Sequence, residues 1–356
     1  MGVRSPGYHQ DMRVPEPRGP LSEAVGAALR TGDPLPTHVA APSAVLDDED
    51  AQLALWMLFE LHFRGFEDAV GDREWDPDLL RLRGGLEAGM EQELRAATRA
   101  VVEAAPDSGD LAEDLFALVA ADDGPSVASY LQRHATREQV LEFLRQRSLY
   151  ALTESDAHSF VLGRLDGPVK AALAEIQYDE YGGGHPERLH STLYAAALDA
   201  AGLDSTYGAY LPEVRVETLA ANTVQAVFGM RRRLRGAAMG FLAAFETTSS
   251  LPCRKIATGI ERVGLPAATA EYFSEHVEAD AVHEQVAVRD VCAGLVAREP
   301  QLREDVLFGV ATSLHLDAVT GARMLERWDA ASVQAGTTSL VRVPVGVPDM
   351  PVGRAS

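Results

Sequence analysis

Helical spacing of apolar residues runs through most of the chain and restricts the fold more than any other feature. Within residues 45–335, hydrophobic side chains recur every three or four positions, as in LALWMLFELHFRGF and REQVLEFLRQRSLYAL, and no strand-like Val, Ile and Thr alternation interrupts them. Breaks are expected at Gly182–Gly184, Pro212, Leu251-Pro252 and Gly264–Pro266. The pattern predicts an all-α protein built as a helical bundle.

The two ends of the chain lack this spacing. Residues 1–44 are rich in Pro, Gly and Arg, which predicts a flexible arm, and residues 336–356 alternate Val with Pro and Gly, which predicts an extended tail. Between them we expect one helical domain over residues 45–335. Its first helices, in residues 45–135, are expected to be additions to a core in residues 136–330.

Composition excludes several classes of protein. The 356 residues include 32 basic and 53 acidic ones, and because a formal charge of −21 repels phosphate backbones, we expect no nucleic-acid partner. Cys253 and Cys292 form no CxxC pair, so we expect no disulfide framework, thiolate zinc site or iron–sulfur cluster. We find neither a secretory signal nor an apolar run of about 18 residues, which predicts a soluble cytoplasmic protein without a membrane partner.

The sharpest local signal is the motif HVEADAVH. At about 100° per residue, His276, Asp280 and His283 lie within about 60° of one another on one helical face, spread over about 10.5 Å. Two imidazoles that flank a carboxylate suit a divalent metal such as iron or manganese. A solvent-facing helix that happens to hold two histidines remains the alternative.

A second candidate cluster surrounds three consecutive glycines. Two Glu–His pairs share a ten-residue spacing there, Glu180 with His190 and Glu175 with His185. On an unbroken helix such residues would lie about 15 Å apart, but the glycines can bend the chain and bring one pair together. Pro186 favours a new helix with His190 inside it, and therefore the first pair. A plain helix–loop–helix turn with incidental charges is the alternative.

Two further acids stand in apolar surroundings. Glu246 ends the run MGFLAAF, where a carboxylate would be costly to bury unless it is paired or bound to a metal. A frayed helix end before the polar run TTSS would also explain it. Glu154 follows LYAL, and by itself it indicates little.

Together these positions resemble the haem-oxygenase-like diiron oxidase/oxygenase family. The resemblance covers about residues 141–316 and rests on an early Glu, a Glu–Gly-rich turn–His pair, a later Glu and a final HxxxDxxH. It implies a haem-oxygenase-like helical bundle with additional N-terminal helices. The metal ligands that it implies are Glu154, Glu180, His190, Glu246, His276, Asp280 and His283.

The resemblance also implies a function. Two iron ions with O₂ as co-substrate would form a peroxo-diferric intermediate that oxygenates a nitrogen of a small amine or amino acid, with electrons from an external donor. Alternatives are oxidation of C–H or C–C bonds at the same centre, as in desaturation or oxidative decarboxylation, and a non-catalytic iron-binding protein. A mixed manganese–iron pair and a homodimer stay open.

Two more predictions concern the surroundings of the metals. Asp179 and Asp290 are candidates to hydrogen-bond the outer nitrogens of the imidazoles. The run from Arg231 to Arg235 is one place where an arginine would hold a substrate carboxylate, although such a run is more often a solvated face.

Overall fold

The structure is a computed structural model, and it describes residues 12–36 and 39–339. Every regular element in these residues is helical, which confirms the prediction of an all-α fold. The α-helices are α1 Pro20–Thr31, α2 Glu49–Glu60, α3 Pro77–Glu103, α4 Leu111–Ala120, α5 Val127–Arg133, α6 Arg137–Ala151, α7 Asp156–Leu162, α8 Gly167–Glu180, α9 His190–Ala201, α10 Val216–Met230, α11 Arg235–Thr247, α12 Ser250–Arg262, α13 Glu271–Gln285, α14 Gly294–Arg298 and α15 Arg303–Ser339.

Most of the predicted helix breaks are found. The three glycines separate α8 from α9, Pro212 lies in a short 3₁₀ turn between α9 and α10, and Gly264–Pro266 lies between α12 and α13. The break predicted at Leu251-Pro252 falls slightly earlier, because Pro252 lies in the first turn of α12, where a missing N–H does no harm. A π-helical segment, Val286–Ala293, joins α13 to α14.

The amino-terminal segment differs from the flexible arm predicted for residues 1–44. Helix α1 lies within it, and Val25 and Leu29 of α1 are fully buried in the hydrophobic core. Asp50 of α2 accepts hydrogen bonds from the backbone N–H groups of Leu21 and Ser22, at 2.8 and 2.7 Å. The sequence pattern did not indicate α1 because its amino-terminal N–H groups are satisfied by a residue of another helix.

The predicted tail overlaps the last helix. Helix α15 continues to Ser339, beyond the proposed start of the tail at residue 336. Residues 340–356 lie outside the described residues, as do residues 1–11 and 37–38.

Helices α11 and α15 form the tightest helix pair around the core. A Cβ atom at Gly240 of α11 would collide with the Val306 carbonyl, and one at Gly309 of α15 would collide with the Ala237 carbonyl. The small residues of α11 were expected to allow close packing of a neighbouring helix, and α15 is that neighbour. The contact holds α11 firmly, which matters because α11 carries Glu246.

The buried hydrophobic side chains form one continuous cluster that runs from Met12 to Trp328. The helices before residue 135 therefore share a core with those that follow. Among the helices of the described residues, none combines the length and apolar character that a membrane crossing requires.

Candidate metal centre

The predicted ligands come from five separate parts of the helical core. Glu154 lies in the turn between α6 and α7, Glu180 is the last residue of α8, and His190 is the first residue of α9. Glu246 lies near the end of α11, and α13 supplies the remaining three, His276, Asp280 and His283. All seven residues are buried, so none is on a solvated helical face.

The turn that carries Glu154 has an unusual backbone. Ser155 adopts a left-handed conformation with φ of 68°, which is uncommon for a residue other than glycine. Gln177 of α8 holds it with two hydrogen bonds, one accepted from the Ser155 hydroxyl at 2.7 Å and one donated to its carbonyl at 3.0 Å. These bonds fix the turn and the carboxylate of Glu154 beside α8.

The glycine turn brings Glu180 and His190 together. Gly182, Gly183 and Gly184 all have positive φ, and a Cβ at Gly182 would come within 2.6 Å of the Arg188 carbonyl carbon. The chain therefore reverses where glycine is required, and His190 Nδ1 lies 3.0 Å from Glu180 Oε2.

The alternative pair, Glu175 with His185, lies at the surface. Glu175 is exposed, and the side chain of His185 is 65% exposed. Of the two registers that the sequence left open, the structure brings together Glu180 and His190 and leaves the other pair at the surface.

The seven side chains form two groups that share Glu180. The first cluster is Glu154, Glu180, His190 and His276, and the second cluster is Glu180, Glu246, Asp280 and His283. Within each cluster the donor atoms lie within 4.8 Å of one another. Atoms bound about 2.1 Å from one ion lie at most about 4.2 Å apart, so each cluster needs only a small contraction around a cation.

In both clusters the imidazole nitrogens lie within 4 Å of carboxylate oxygens. Besides the Glu180–His190 contact, His276 Nε2 lies 3.5 Å and His190 Nδ1 lies 3.9 Å from Glu154 Oε2. In the second cluster, His283 Nδ1 lies 3.4 Å from Glu180 Oε1 and 3.6 Å from Glu246 Oε2. The Nδ1 atom of His283 is also 3.8 Å from Asp280 Oδ1.

Several buried polar atoms inside the clusters lack a hydrogen-bond partner among the described residues. They are His190 Nδ1, His276 Nε2, His283 Nδ1 and both carboxylate oxygens of Asp280. The His190–Glu180 contact is close, but it does not have hydrogen-bond geometry. Buried polar atoms normally have a hydrogen-bond partner. Atoms without one that all face the same centre are therefore suited to bind cations there. The seven residues therefore suit a pair of divalent metal ions.

The outer sides of two imidazoles are held by hydrogen bonds. His276 Nδ1 is 2.7 Å from the carbonyl oxygen of Tyr272, so it donates there and leaves Nε2 free to face the first cluster. His283 Nε2 is 3.3 Å from Asp179 Oδ2, which directs Nδ1 into the second cluster. Asp179 thus lies where we predicted. Asp290 does not, because it is exposed and no hydrogen bond joins it to an imidazole within the described residues.

Tyr272 is a part of the site that we did not assign from the sequence. Its hydroxyl donates to the carboxylate of Glu154, with distances of 2.7 and 2.8 Å to the two oxygens. It precedes His276 by four residues, which places both side chains on one face of α13. That spacing was the available signal.

Electrostatics inside the clusters follow from crowding of buried acids. Burial and the charge of Glu246 raise the pKa of Asp280 to about 9, and burial together with Glu180 raises the pKa of Glu246. Burial would also raise the pKa of Glu180, but contacts with His190 and His283 hold it below its usual range. Against the effect of burial, Glu180 raises the pKa of His190 to about 9. Protons thus balance the acids when no metal ion is bound.

Three of the four arginines in the run from Arg231 to Arg235 are engaged elsewhere. Arg231 forms an ion pair with Glu87, Arg233 with Glu91, and Arg235 with Glu299. These pairs connect α11 and the turn before it to α3 and to the end of α14. These three arginines therefore do not support the hypothesis that the run holds a substrate carboxylate, and the fourth, Arg232, is exposed.

Comparison with known proteins agrees with this geometry. A family model described as iron-containing redox enzyme matches residues 141–318, a range that includes all seven residues of the two clusters. Nitrosourea synthase of Streptomyces achromogenes subsp. streptozoticus is similar, with 29% identity over 132 residues. The matched part is 36% of this chain and 28% of that protein, so the similarity spans less than a third of the relative.

Proposed function

The chain belongs to the iron-containing redox enzyme family, whose model matches half of its length, and from this membership we propose a non-haem diiron oxygenase. Family membership makes the chain an oxidoreductase. The proposal goes further, to a pair of irons, O₂ as co-substrate and a small amine or amino acid that is oxygenated on nitrogen.

The observation that carries the proposal is the sharing of Glu180 between two buried clusters. The set contains three imidazoles and four carboxylates, and four negative charges balance two divalent cations. A carboxylate common to both clusters suits two ions held side by side. Such burial of four acids would be strongly unfavourable without cations or protons to compensate them.

When bound, a pair of ferrous ions would supply the binding and reduction of O₂. The chain's own residues hold and orient the ligands. Tyr272 donates to Glu154, and the carbonyl of Tyr272 fixes the ring of His276. The fully buried rings of Tyr194, Tyr272 and Phe273 lie against one another beside His190 and His276 and exclude water from that side of the first cluster.

Oxygenation of nitrogen is supported by the relative. Its name says that it makes a nitrosourea, a compound with a nitroso group on nitrogen. For a primary amine the balanced reaction is R–NH₂ + O₂ + 2e⁻ + 2H⁺ → R–NHOH + H₂O, in which an external reductant supplies the two electrons. Oxidation of a C–H or C–C bond at the same centre is the alternative chemistry.

A non-catalytic iron-binding protein is a weaker hypothesis. Storage would need sites for many ions, whereas the described residues offer two overlapping metal-ligand groups, which together suit one dinuclear centre. The Fe(II)-loaded protein should therefore react rapidly with O₂, rather than oxidise slowly without a distinct optical change.

The test is to load the protein anaerobically with Fe(II), mix it with O₂ in a stopped-flow instrument, and repeat this with a panel of amines and amino acids under ¹⁸O₂. We expect a transient visible absorption band and a hydroxylamine that carries one ¹⁸O atom. A band followed by an alkene, CO₂ or a C-hydroxylated product would favour the alternative chemistry. Slow, featureless oxidation without product would refute the oxygenase proposal.

A further inference from the structure

A cavity of about 170 Å³ lies beside the proposed diiron centre, between α5, α6, α10, α11 and α15. Of its lining residues, Tyr150 and Phe245 are the closest in sequence to the proposed ligands. Tyr150 precedes Glu154 by four residues, and Phe245 directly precedes Glu246. Their rings contact each other with centroids 5.1 Å apart. A molecule in this cavity would therefore lie against residues that adjoin ligands of both clusters.

Two groups of opposite charge line the cavity, the guanidinium of Arg147 on α6 and the carboxylate of Asp317 on α15. Arg147 lies against the rings of Tyr150 and Phe245, with its guanidinium carbon 5.6 and 5.8 Å from the ring centroids. These distances are within the range of cation–π contacts, which orient the group. Among the described residues, Arg147 makes no hydrogen bond or ion pair, and its Nε atom is buried without a partner.

Asp317 is also without a hydrogen bond or an ion pair within the described residues. It is exposed, so the cavity is accessible from solvent on the α15 side. Arg147 and Asp317 face the same space but do not form an ion pair with each other. Two opposite charges that share a cavity without direct contact leave room for a ligand that bears both complementary charges.

The remaining lining is mostly apolar, with Phe143, Phe241 and Met324 as large members. One further polar atom, the hydroxyl of Thr320, is buried without a hydrogen-bond partner in the described part of the chain. Gln146, by contrast, already has partners, since it accepts from the Arg215 N–H and donates to the Glu213 carbonyl. The cavity thus combines an apolar body with a few free polar groups, as small-molecule sites do.

We propose that this cavity binds the substrate as a zwitterionic amino acid, with its carboxylate on Arg147 and its ammonium group on Asp317. The assignment rests on the proposed function and specifies its substrate class. A planar guanidinium binds a carboxylate through two parallel hydrogen bonds, and an aspartate pairs with an ammonium group. The amino-acid side chain then lies against the apolar lining toward Tyr150 and Phe245, so the nitrogen that is oxygenated is one in the side chain.

Size supports this class of ligand. A dry cavity of about 150 Å³ holds a molecule the size of benzene, so a cavity slightly larger fits an amino acid with a side chain of moderate length. A fatty acid would leave Asp317 facing only solvent, and a simple amine would leave Arg147 without a partner. A ligand with both charges satisfies both groups.

The test measures binding to the full-length, metal-free protein, so it does not depend on turnover. The twenty L-amino acids are screened by saturation-transfer NMR, and the tightest binder is compared with its decarboxylated amine and its deaminated acid. We expect Arg147→Gln to weaken binding of the amino acid and of the deaminated acid about tenfold or more, and binding of the amine much less. Asp317→Asn should weaken binding of the amino acid and of the amine, and binding of the deaminated acid much less.

Matched controls are available on the same helices. Arg145→Gln removes a charge of α6 that does not line the cavity, and Asp329→Asn removes an exposed acid of α15; both should bind like wild type. Circular dichroism checks that each variant folds, and Arg147→Lys should retain more binding than Arg147→Gln.

The proposal is overturned if no amino acid binds, if the tightest one binds no better than its amine and acid analogues, or if both cavity variants keep wild-type affinity. Failure of the diiron proposal would look different. In that case the protein would not take up two irons, whatever it binds in the cavity.

Discussion

The two clusters share Glu180, yet they differ in how well the protein itself satisfies their acids. In the first cluster, Tyr272 donates to the carboxylate of Glu154, and two imidazoles face two carboxylates. In the second cluster, one imidazole faces three carboxylates, and both oxygens of Asp280 are buried without a hydrogen-bond partner in the described residues. The first cluster is therefore largely held by the fold, and the second depends more on a bound cation.

The backbone around the clusters shows the same contrast. Glu154 lies in a turn that Gln177 fixes with two hydrogen bonds, and His190 begins a helix set by a glycine turn. The second cluster draws Asp280 and His283 from the end of α13 that passes into the π-helical segment Val286–Ala293, whereas His276 of the first cluster lies farther from that segment. Segments of π-helix are rare in proteins and occur frequently at functional sites.

The largest effect should follow from the residue that the clusters share. Glu180→Ala removes a ligand from both, so we expect iron binding at both positions to be lost and O₂ consumption to fall to background. Iron is counted by colorimetric assay after anaerobic loading and desalting. Glu175→Ala is the matched control, because this exposed residue is the alternative that the sequence left open. Loss of iron in the control instead would reverse the assignment.

The next effect separates the clusters. His276→Ala should remove iron from the first cluster and His283→Ala from the second, with helical content preserved because each removes only one side chain from a continuous helix. Each variant should bind one iron per chain in an anaerobic Fe(II) titration, and His185→Ala should bind two. Should both variants still bind two irons, the ligand assignment is wrong.

A smaller effect tests whether the fold holds the first cluster. Tyr272→Phe leaves the aromatic packing but removes the hydroxyl that donates to Glu154. Loss of such an outer partner lowers metal affinity about 10–100-fold, and we expect this at the first cluster only. Competition with a chelator measures it, with Tyr178→Phe as control because Tyr178 is 60% exposed. An equal loss of affinity for both irons would contradict the view that the fold holds the first cluster more firmly than the second.

The smallest effect concerns the second cluster without metal. Burial and Glu246 raise the pKa of Asp280 to about 9, from an ordinary value of 3.8. Between these values the folded protein binds more protons than the unfolded chain, so its free energy of unfolding falls as pH rises. Asp280→Asn should reduce this fall by roughly 1 kcal/mol per pH unit in urea titrations at pH 6 to 9.

Some of that fall remains in the variant, because the raised pKa of His190 acts in the same direction above pH 6.5. Asp290→Asn is the control, since this acid is exposed and lies outside both clusters. An identical pH dependence in Asp280→Asn and wild type would show that Asp280 is not the uncompensated acid.

Local periodicity explains what the sequence could predict. The spacing of His276, Asp280 and His283 placed them on one face because a helix repeats every 3.6 residues. The all-α class followed from the same rule. The sequence could not decide between Glu180 with His190 and Glu175 with His185, because both pairs have the same spacing. The choice depends on where the glycine turn reverses the chain.

Contacts between distant parts of the chain explain what was missed. The hydrogen bond from the Tyr272 hydroxyl to the Glu154 carboxylate joins residues 118 positions apart, and α1 is capped by Asp50 of the next helix. Arg147 was not singled out, because its proposed role depends on a cavity bounded by five helices. The Arg231–Arg235 run was more conspicuous in the sequence, but its ion pairs with α3 became apparent only in the fold.

The most direct test of the central claim is an anaerobic ⁵⁷Fe(II) titration of the full-length protein, followed by Mössbauer spectroscopy after exposure to O₂. If Glu180 joins the two clusters, the protein should bind two irons per chain, and the oxidised pair should be magnetically coupled with a diamagnetic ground state. Binding of a single iron, or of two irons that remain magnetically independent, would contradict a shared dinuclear centre.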